Sequence, residues 1–266
     1  MKRILLIVMI CVVGACIAYS HDYFLLSDSF FLKKGETLQV HLLVGDHFKD
    51  LQERKYQSSH TGDFHLYEGG KKHDLRASST DSLAPVLSRK MDNAGLALVA
   101  MERKASEIEL DKAKFLEYLR EEGLSDMTQL VETQNKNSYK EKYTRYLKTL
   151  VMVEKPVGGL HNQKTDHQLE ILLLQNPYKL KYGDDMIAEI LFKGKPLANK
   201  NVEVLTKSLN GSVFNFGYHT DTNGRIYFKL NRTGTWMVRT VHMQPTTDKD
   251  ADFESFWASY TFGFKY

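Results

Sequence analysis

Six short apolar runs fill the last hundred residues: LEILLL, MIAEILF, VEVLT, RIYFKL, TWMVRTVHM and FWASYTFGF. Turn residues such as Lys193-Gly194-Lys195-Pro196 and Thr222-Asn223-Gly224 separate them. Runs this short cannot be helices that bury a face, and runs this closely spaced leave no room for crossover helices. They predict antiparallel strands packed as an immunoglobulin-like β-sandwich. In TWMVRTVHM, alternation puts Trp236, Val238, Thr240 and His242 on one face. Met237, Arg239, Val241 and Met243 take the other, so His242 shares its face with core residues.

The first half carries the same period. Leu38, Val40, Leu42 and Val44 alternate with Gln39, His41 and Leu43 between Gly35 and Gly45, and residues 64–98 keep short apolar pieces broken by Gly69-Gly70, Pro85 and Asn93-Ala94-Gly95. The middle differs. In LDKAKFLEYLREEGL, Asp111 is placed to cap a helix, Phe115, Leu116 and Leu119 share a helical face, and Gly123 can stop it. A short helix is expected over about 126–132. SYKEKYTRYLKTLVMV then has Ser138 and Glu141 at capping-box spacing and Tyr143, Tyr146, Leu147 and Leu150 at i, i+3, i+4 and i+7, which predicts a further helix. The expected chain is therefore a leader over 1–20, a β domain over 21–108, a helical insertion over 109–155 and an immunoglobulin-like β-sandwich over 156–266. The class is mainly β with an inserted helical hairpin, and the charged helix faces read as solvated surface.

Residues 1–20 open with Lys2 and Arg3, run apolar from Ile4 to Val13 and end in small residues, the order of a secretory signal. Nothing after Ser20 supplies the roughly 20 apolar residues that a spanning helix needs. Two processing routes are open. Ala18-Tyr19-Ser20 fits a cut before His21, giving a periplasmic or otherwise exported protein, whereas Val13-Gly14-Ala15-Cys16 resembles a lipobox that would tether the chain to a membrane through Cys16. Both cysteines, Cys11 and Cys16, lie in the leader, so a chain starting at His21 has no disulfide or thiolate chemistry. Removing Lys2 and Arg3 from the 36 basic side chains leaves 34 against 33 acidic ones, which gives no electrostatic case for nucleic acid as a partner.

A histidine at the mature terminus offers a metal both its α-amine and an imidazole nitrogen. Nickel, cobalt and copper all accept such ligands. Among the other histidines, His242 on its buried face needs a partner for each ring nitrogen, and His47 in VGDHFKD follows a strand. Glu254 lies among Phe253 and Phe256, where it could ligate or accept from a metal-bound histidine. His41, His60, His65, His73, His161, His167 and His219 read as surface, linker or structural residues. No G-x-S-x-G, phosphate-cradling glycine loop or EF-hand pattern occurs, so no motif argues for an enzyme.

The blocks SHDYFLL, KKGETLQVHLLVGDHF, FLEYLREEGL, KYTRYLKTLV, QNPYKLKYGD, FKGKPLANKNVEV, TDTNGRIYFKL, GTWMVRTVHM and DADFESFWASYTF, in that order, resemble the exported family known as domain of unknown function 4198. That family is often labelled as related to nickel uptake. The resemblance implies β-sandwich architecture, export, a mature chain starting with histidine, and binding or delivery of nickel or cobalt beside a membrane metal transporter. It matches His242 to the family's VHM histidine. It departs at VGDHF, where Asp46 takes the expected histidine position and the histidine falls at His47, which ranks His47 behind His21 and His242. The expected metal ligands are therefore His21, His242, His47 and Glu254, holding a divalent transition metal. A histidine-brace copper redox protein and a metal-free interaction scaffold are the alternatives.

Overall fold

The computed structural model describes residues 22–266; the leader, Cys16 and His21 lie outside the described residues. The first half supplies β1 (Asp22–Ser27), β2 (Phe31–Leu32), β3 (Thr37–Asp46), β4 (Lys49–Arg54), β5 (Thr61–Glu68), β6 (Lys71–Asp74), β7 (Leu87–Lys90) and β8 (Gly95–Asp111). Two helices follow, α1 (Lys112–Glu121) and α2 (Ser125–Thr133), and then β9 (Ser138–Val153). The second half supplies β10 (Leu169–Leu173), β11 (Asp185–Phe192), β12 (Lys195–Pro196), β13 (Asn201–Ser208), β14 (Val213–His219), β15 (Arg225–Lys229), β16 (Gly234–Pro245) and β17 (Phe253–Phe264). The chain is mainly β, as its sequence predicts, and no helix among the described residues is long and apolar enough to cross a membrane.

A nine-stranded sheet runs through the molecule in the order β14-β13-β16-β17-β9-β8-β5-β6, with β2 also on β9. Its two halves meet where β17 pairs in parallel with β9, Phe253 beside Glu141 through to Phe262 beside Leu150. The expected boundary near residue 155 therefore does not divide the sheet. One face packs on β10, β11 and β15 through Leu98, Tyr146, Leu150, Trp236, Val238 and Phe262. The opposite face packs on β1, β3 and β7 through Val99, Met101, Leu147, Val151 and Val153. Farther along that second face, α1 and α2 lay Phe115, Tyr118, Leu119 and Val131 on Val241, Met243, Phe253 and Trp257. The result is a layered sandwich with one long central sheet.

The Asp111 side chain caps α1 as expected, accepting from the Lys114 backbone N–H at 3.0 Å. The helix expected over 138–153 is instead the strand β9, which narrows the helical insertion to Lys112–Thr133. β9 is covered on both faces, so it needs apolar residues at adjacent positions: Tyr146 and Leu150 for one core, Leu147 and Val151 for the other. That doubled pattern reproduces helical spacing. Tyrosine, threonine and valine, together with pairing on both edges, decide for the strand.

Within the first of these cores one ion pair is sealed from water. Lys148 Nζ donates to Glu170 Oε1 at 2.7 Å and to the carbonyls of Gln163 and Ile171. The same Glu170 oxygen accepts from the backbone N–H and hydroxyl of Thr165. Burial pushes the Lys148 ammonium down to about 8, against the pull of Glu170.

Candidate functional site

Asp22 begins β1, and β1 is pinned to the central sheet by two alternating hydroxyls of β17. Ser259 donates to the Tyr23 carbonyl at 2.9 Å and Thr261 to the Leu25 carbonyl at 2.6 Å. Opposite Asp22 in the ladder stands Gly45, where a Cβ would come within 2.5 Å of the Lys49 carbonyl oxygen. That close approach lets β3 bulge after Val44 and turn into β4 through only His47 and Phe48, which join the paired residues Asp46 and Lys49. Both turn residues are left-handed, with φ of 48° and 64°. For non-glycine residues such backbone costs roughly 1–2 kcal/mol each. Burial offsets part of this, because Phe48 packs edge-on against Phe24, ring centroids 5.2 Å apart, and joins Leu205 and Met237. The strained turn holds His47 over Asp22, whose Oδ2 accepts the His47 backbone N–H at 3.2 Å.

Beneath them lies Arg239, only 6 % exposed. Its Nε contacts Asp22 at 2.5 Å, its Nη2 contacts Glu122 at 2.6 Å, and its Nη1 pairs with Glu203. Glu122 arrives from the end of α1 and Glu203 from the neighbouring strand β13. His47 adds its own contacts: Nδ1 with Asp46, and Nε2 at 3.4 Å from Glu203, where it has no hydrogen-bond partner. Four carboxylates thus surround one guanidinium and one imidazole. Glu203 is the largest cause lifting the imidazole to about 9, burial opposes it, and Asp22 and Asp46 add to the rise. Burial by itself would raise Glu203, but His47, Arg239 and Asn215 hold it at about 2. Burial lifts the Asp22 carboxyl above its usual value despite Arg239.

The expected ligands divide between the two faces of the sheet. His47 stands at this corner, one residue from Asp46 and against Asp22. His242 points to the other face, its ring 4.3 Å by centroid from Phe192 and stacked on Phe256. Burial, Lys200 and Lys193 push it down to about 4, while Gln244 and Glu254 pull the other way, and its Nδ1 has no partner. Glu254 shares that face and accepts from Gln244 Nε2 at 2.5 Å. The structure therefore brings His242 near Glu254 but separates both from His47. No cluster of three or more His, Cys, Asp or Glu side chains arranged to hold a metal occurs among the described residues. His167, expected to be exposed, is buried at 5 % exposure beside Tyr146, because the segment before β10 folds inward to bring Thr165 to Glu170.

Sequence reasoning missed Asp22, Asp46, Glu122, Glu203 and Arg239. One signal was present: an arginine between Met237 and Val241 on an apolar strand face demands buried carboxylate partners.

No curated protein matches the chain. Among solved structures, the D0-D1 domain of Intimin aligns at 12 % identity over 92 % of this chain and 98 % of that one, with a TM-score of 0.23. A tetra-tandem repeat in the extending region of a large adhesion protein aligns at 9 % identity over 92 % of this chain and 50 % of that one, with a TM-score of 0.22. Such low scores carry no functional argument. The model of the domain of unknown function DUF4198 matches residues 18–244, and the chain belongs to that family.

Proposed function

We propose that this is an exported metal-binding protein that holds a divalent transition ion where β1 starts. His47 would meet the ion beside the α-amine and ring of His21, with Asp46, Asp22 and Glu203 lending negative charge around it rather than ligating. The observation that carries the reading is the meeting of His47 with the carboxylates of Asp22, Asp46 and Glu203 at Asp22, the residue that directly follows His21 in sequence. The donor set fits a borderline ion: imidazole and amine nitrogens suit nickel, cobalt and copper, and carboxylates supply charge. Nickel or cobalt, delivered to a membrane transporter, is the cargo that the family resemblance implies. His242 and Glu254 lie across the sheet and drop out of the ligand set.

The test compares two preparations, one starting at His21 and one with a single alanine ahead of it, titrated calorimetrically with Ni²⁺, Co²⁺ and Cu²⁺. Tight binding that the extra alanine weakens most, and that His47→Ala weakens by roughly 10–100-fold, is expected. Binding indifferent to both changes overturns the reading. Mass spectrometry of the exported protein reports whether residue one is His21 or an acylated Cys16.

A further inference from the structure

Away from the metal corner, the lateral edge of the second half is left open. Among the described residues, β14 closes the nine-stranded sheet on that side and pairs only with β13, and β15 closes the opposing sheet and pairs only with β11. The two edges are protected differently. On β15, half-buried Arg225 and exposed Lys229 pair with Glu189 and Asp185, the charged guard that keeps sheet edges from recruiting strands. β14 reads VFNFGYH, with no charge, no proline and no bulge along its seven pairs with β13.

The face of β14 that carries Phe214, Phe216 and Tyr218 continues the core face of Val202 and Val204; Tyr218 still packs on Phe228 of β15, ring centroids 6.2 Å apart, whereas Phe214 and Phe216 lie beyond that cover. Phe214 and Phe216 are 37 % and 39 % exposed, and Tyr227 across the gap is 52 % exposed. Between them lies a groove of about 280 Å³ with Trp236 among its walls. Three charged residues also line it: Asp185 and Lys229, which pair with each other at 2.9 Å, and Arg232. The Arg232 guanidinium lies over the rings of Phe214 and Phe216, at 4.2 and 5.3 Å from their centroids. Its backbone is tied to the groove, since Trp236 Nε1 donates to the Arg232 carbonyl at 3.0 Å, and among the described residues its side chain donates only to the neutral Asn231. An arginine flattened on aromatic rings with no carboxylate partner presents a preorganised fork to an incoming one.

We infer that β14 accepts an extended peptide segment of another protein, added as an edge strand, whose alternate apolar side chains fill the groove and whose carboxylate meets Arg232. Main-chain pairing would supply the affinity, and the Phe216, Tyr218, Tyr227 and Trp236 pocket with Arg232 would supply the selectivity. The charge-free edge argues for a strand, and the unpaired guanidinium argues for an acidic one.

The experiment uses a capped nine-residue peptide of alternating valine and serine with a central glutamate, and its glutamine twin, titrated against the full exported chain and its Arg232→Gln variant. Expected is saturable binding, with amide shifts confined to residues 213–219, in which exchanging glutamate for glutamine costs about tenfold against the native chain and nothing against Arg232→Gln. Absence of saturable binding overturns the inference, as does an equal loss in both chains. Sedimentation is the second arm: a dimer that Phe216→Glu returns to monomer assigns the edge to a second copy and overturns the peptide assignment.

Discussion

Two buried charge clusters in this molecule follow opposite rules. Around Lys148, one ammonium meets one carboxylate, every donor has an acceptor, and Thr165 completes the set. Around Arg239, one guanidinium meets the carboxylates of Asp22, Glu122 and Glu203, with His47 and Asp46 crowding the same corner on a left-handed turn. The first is closed between two layers, whereas the second lies where the described chain begins. A neutral, saturated pair needs nothing further and reads as structure. A cluster that gathers several carboxylates round two cations on a strained turn is held together at a cost, and such costs concentrate where a ligand acts.

The sharpest break of this comparison is removal of each cation. Arg239→Leu leaves three carboxylates facing one another in the interior and is expected to cost at least about 3–5 kcal/mol, the usual penalty for orphaning a buried charge. Lys148→Met orphans one carboxylate that keeps both Thr165 donors, so about 3 kcal/mol is expected. Urea unfolding of both variants ranks them; an equal or reversed order contradicts the assignment of the larger imbalance to Arg239. The double change Lys148→Met/Glu170→Leu removes the pair whole and should return most of the loss, since well-packed apolar replacements of buried pairs are often neutral.

The same double variant isolates a pH effect. In the folded chain Lys148 releases its proton near pH 8, pushed down by burial, while an unfolded lysine holds it to about 10.4. Between those values the unfolded chain binds more protons, so this group makes stability rise with pH across that window and contributes nothing further above it. Buried tyrosines act in both chains alike and cancel in the difference. Stability curves for the native and double-variant chains that run parallel from pH 8 to 10 would show that the ammonium is not sealed as the geometry requires.

The contrast also explains what could be read from sequence alone. The strand runs of the second half, the Asp111 cap and the two faces of TWMVRTVHM were legible because each depends on neighbours within one element. β9 was not, since a strand buried on both faces carries the spacing of a helix, and its partner β17 lies more than a hundred residues away. The Lys148 pair escaped notice because nothing local marks Glu170 as its mate. At the corner, His47 was visible as a histidine after a strand, yet its neighbours Glu203 and Arg239 arrive through the order β13-β16-β17 and the hydroxyl anchors of β1. Placing Asp22 beside Arg239 requires a contact across 217 positions, which no period encodes. The resemblance to a family ranked His242 above His47 by motif, and only the faces of β16 show that the two lie on opposite sides of the sheet.

The smallest expected change is the one that separates function from structure. His47→Gly removes an imidazole that touches two carboxylates, which costs stability, and it also relieves a left-handed residue, which returns roughly 1 kcal/mol. The two effects oppose, so unfolding free energy should move by less than about 1 kcal/mol, far below Arg239→Leu, while the proposed metal role requires that affinity for the ion fall in the same variant. A structural histidine would show the reverse, with stability lost and binding intact. Strain kept at a position where glycine would fold as well is the mark of a side chain retained for what it holds, and the paired readout of denaturation and metal titration on one variant decides which cluster that description fits.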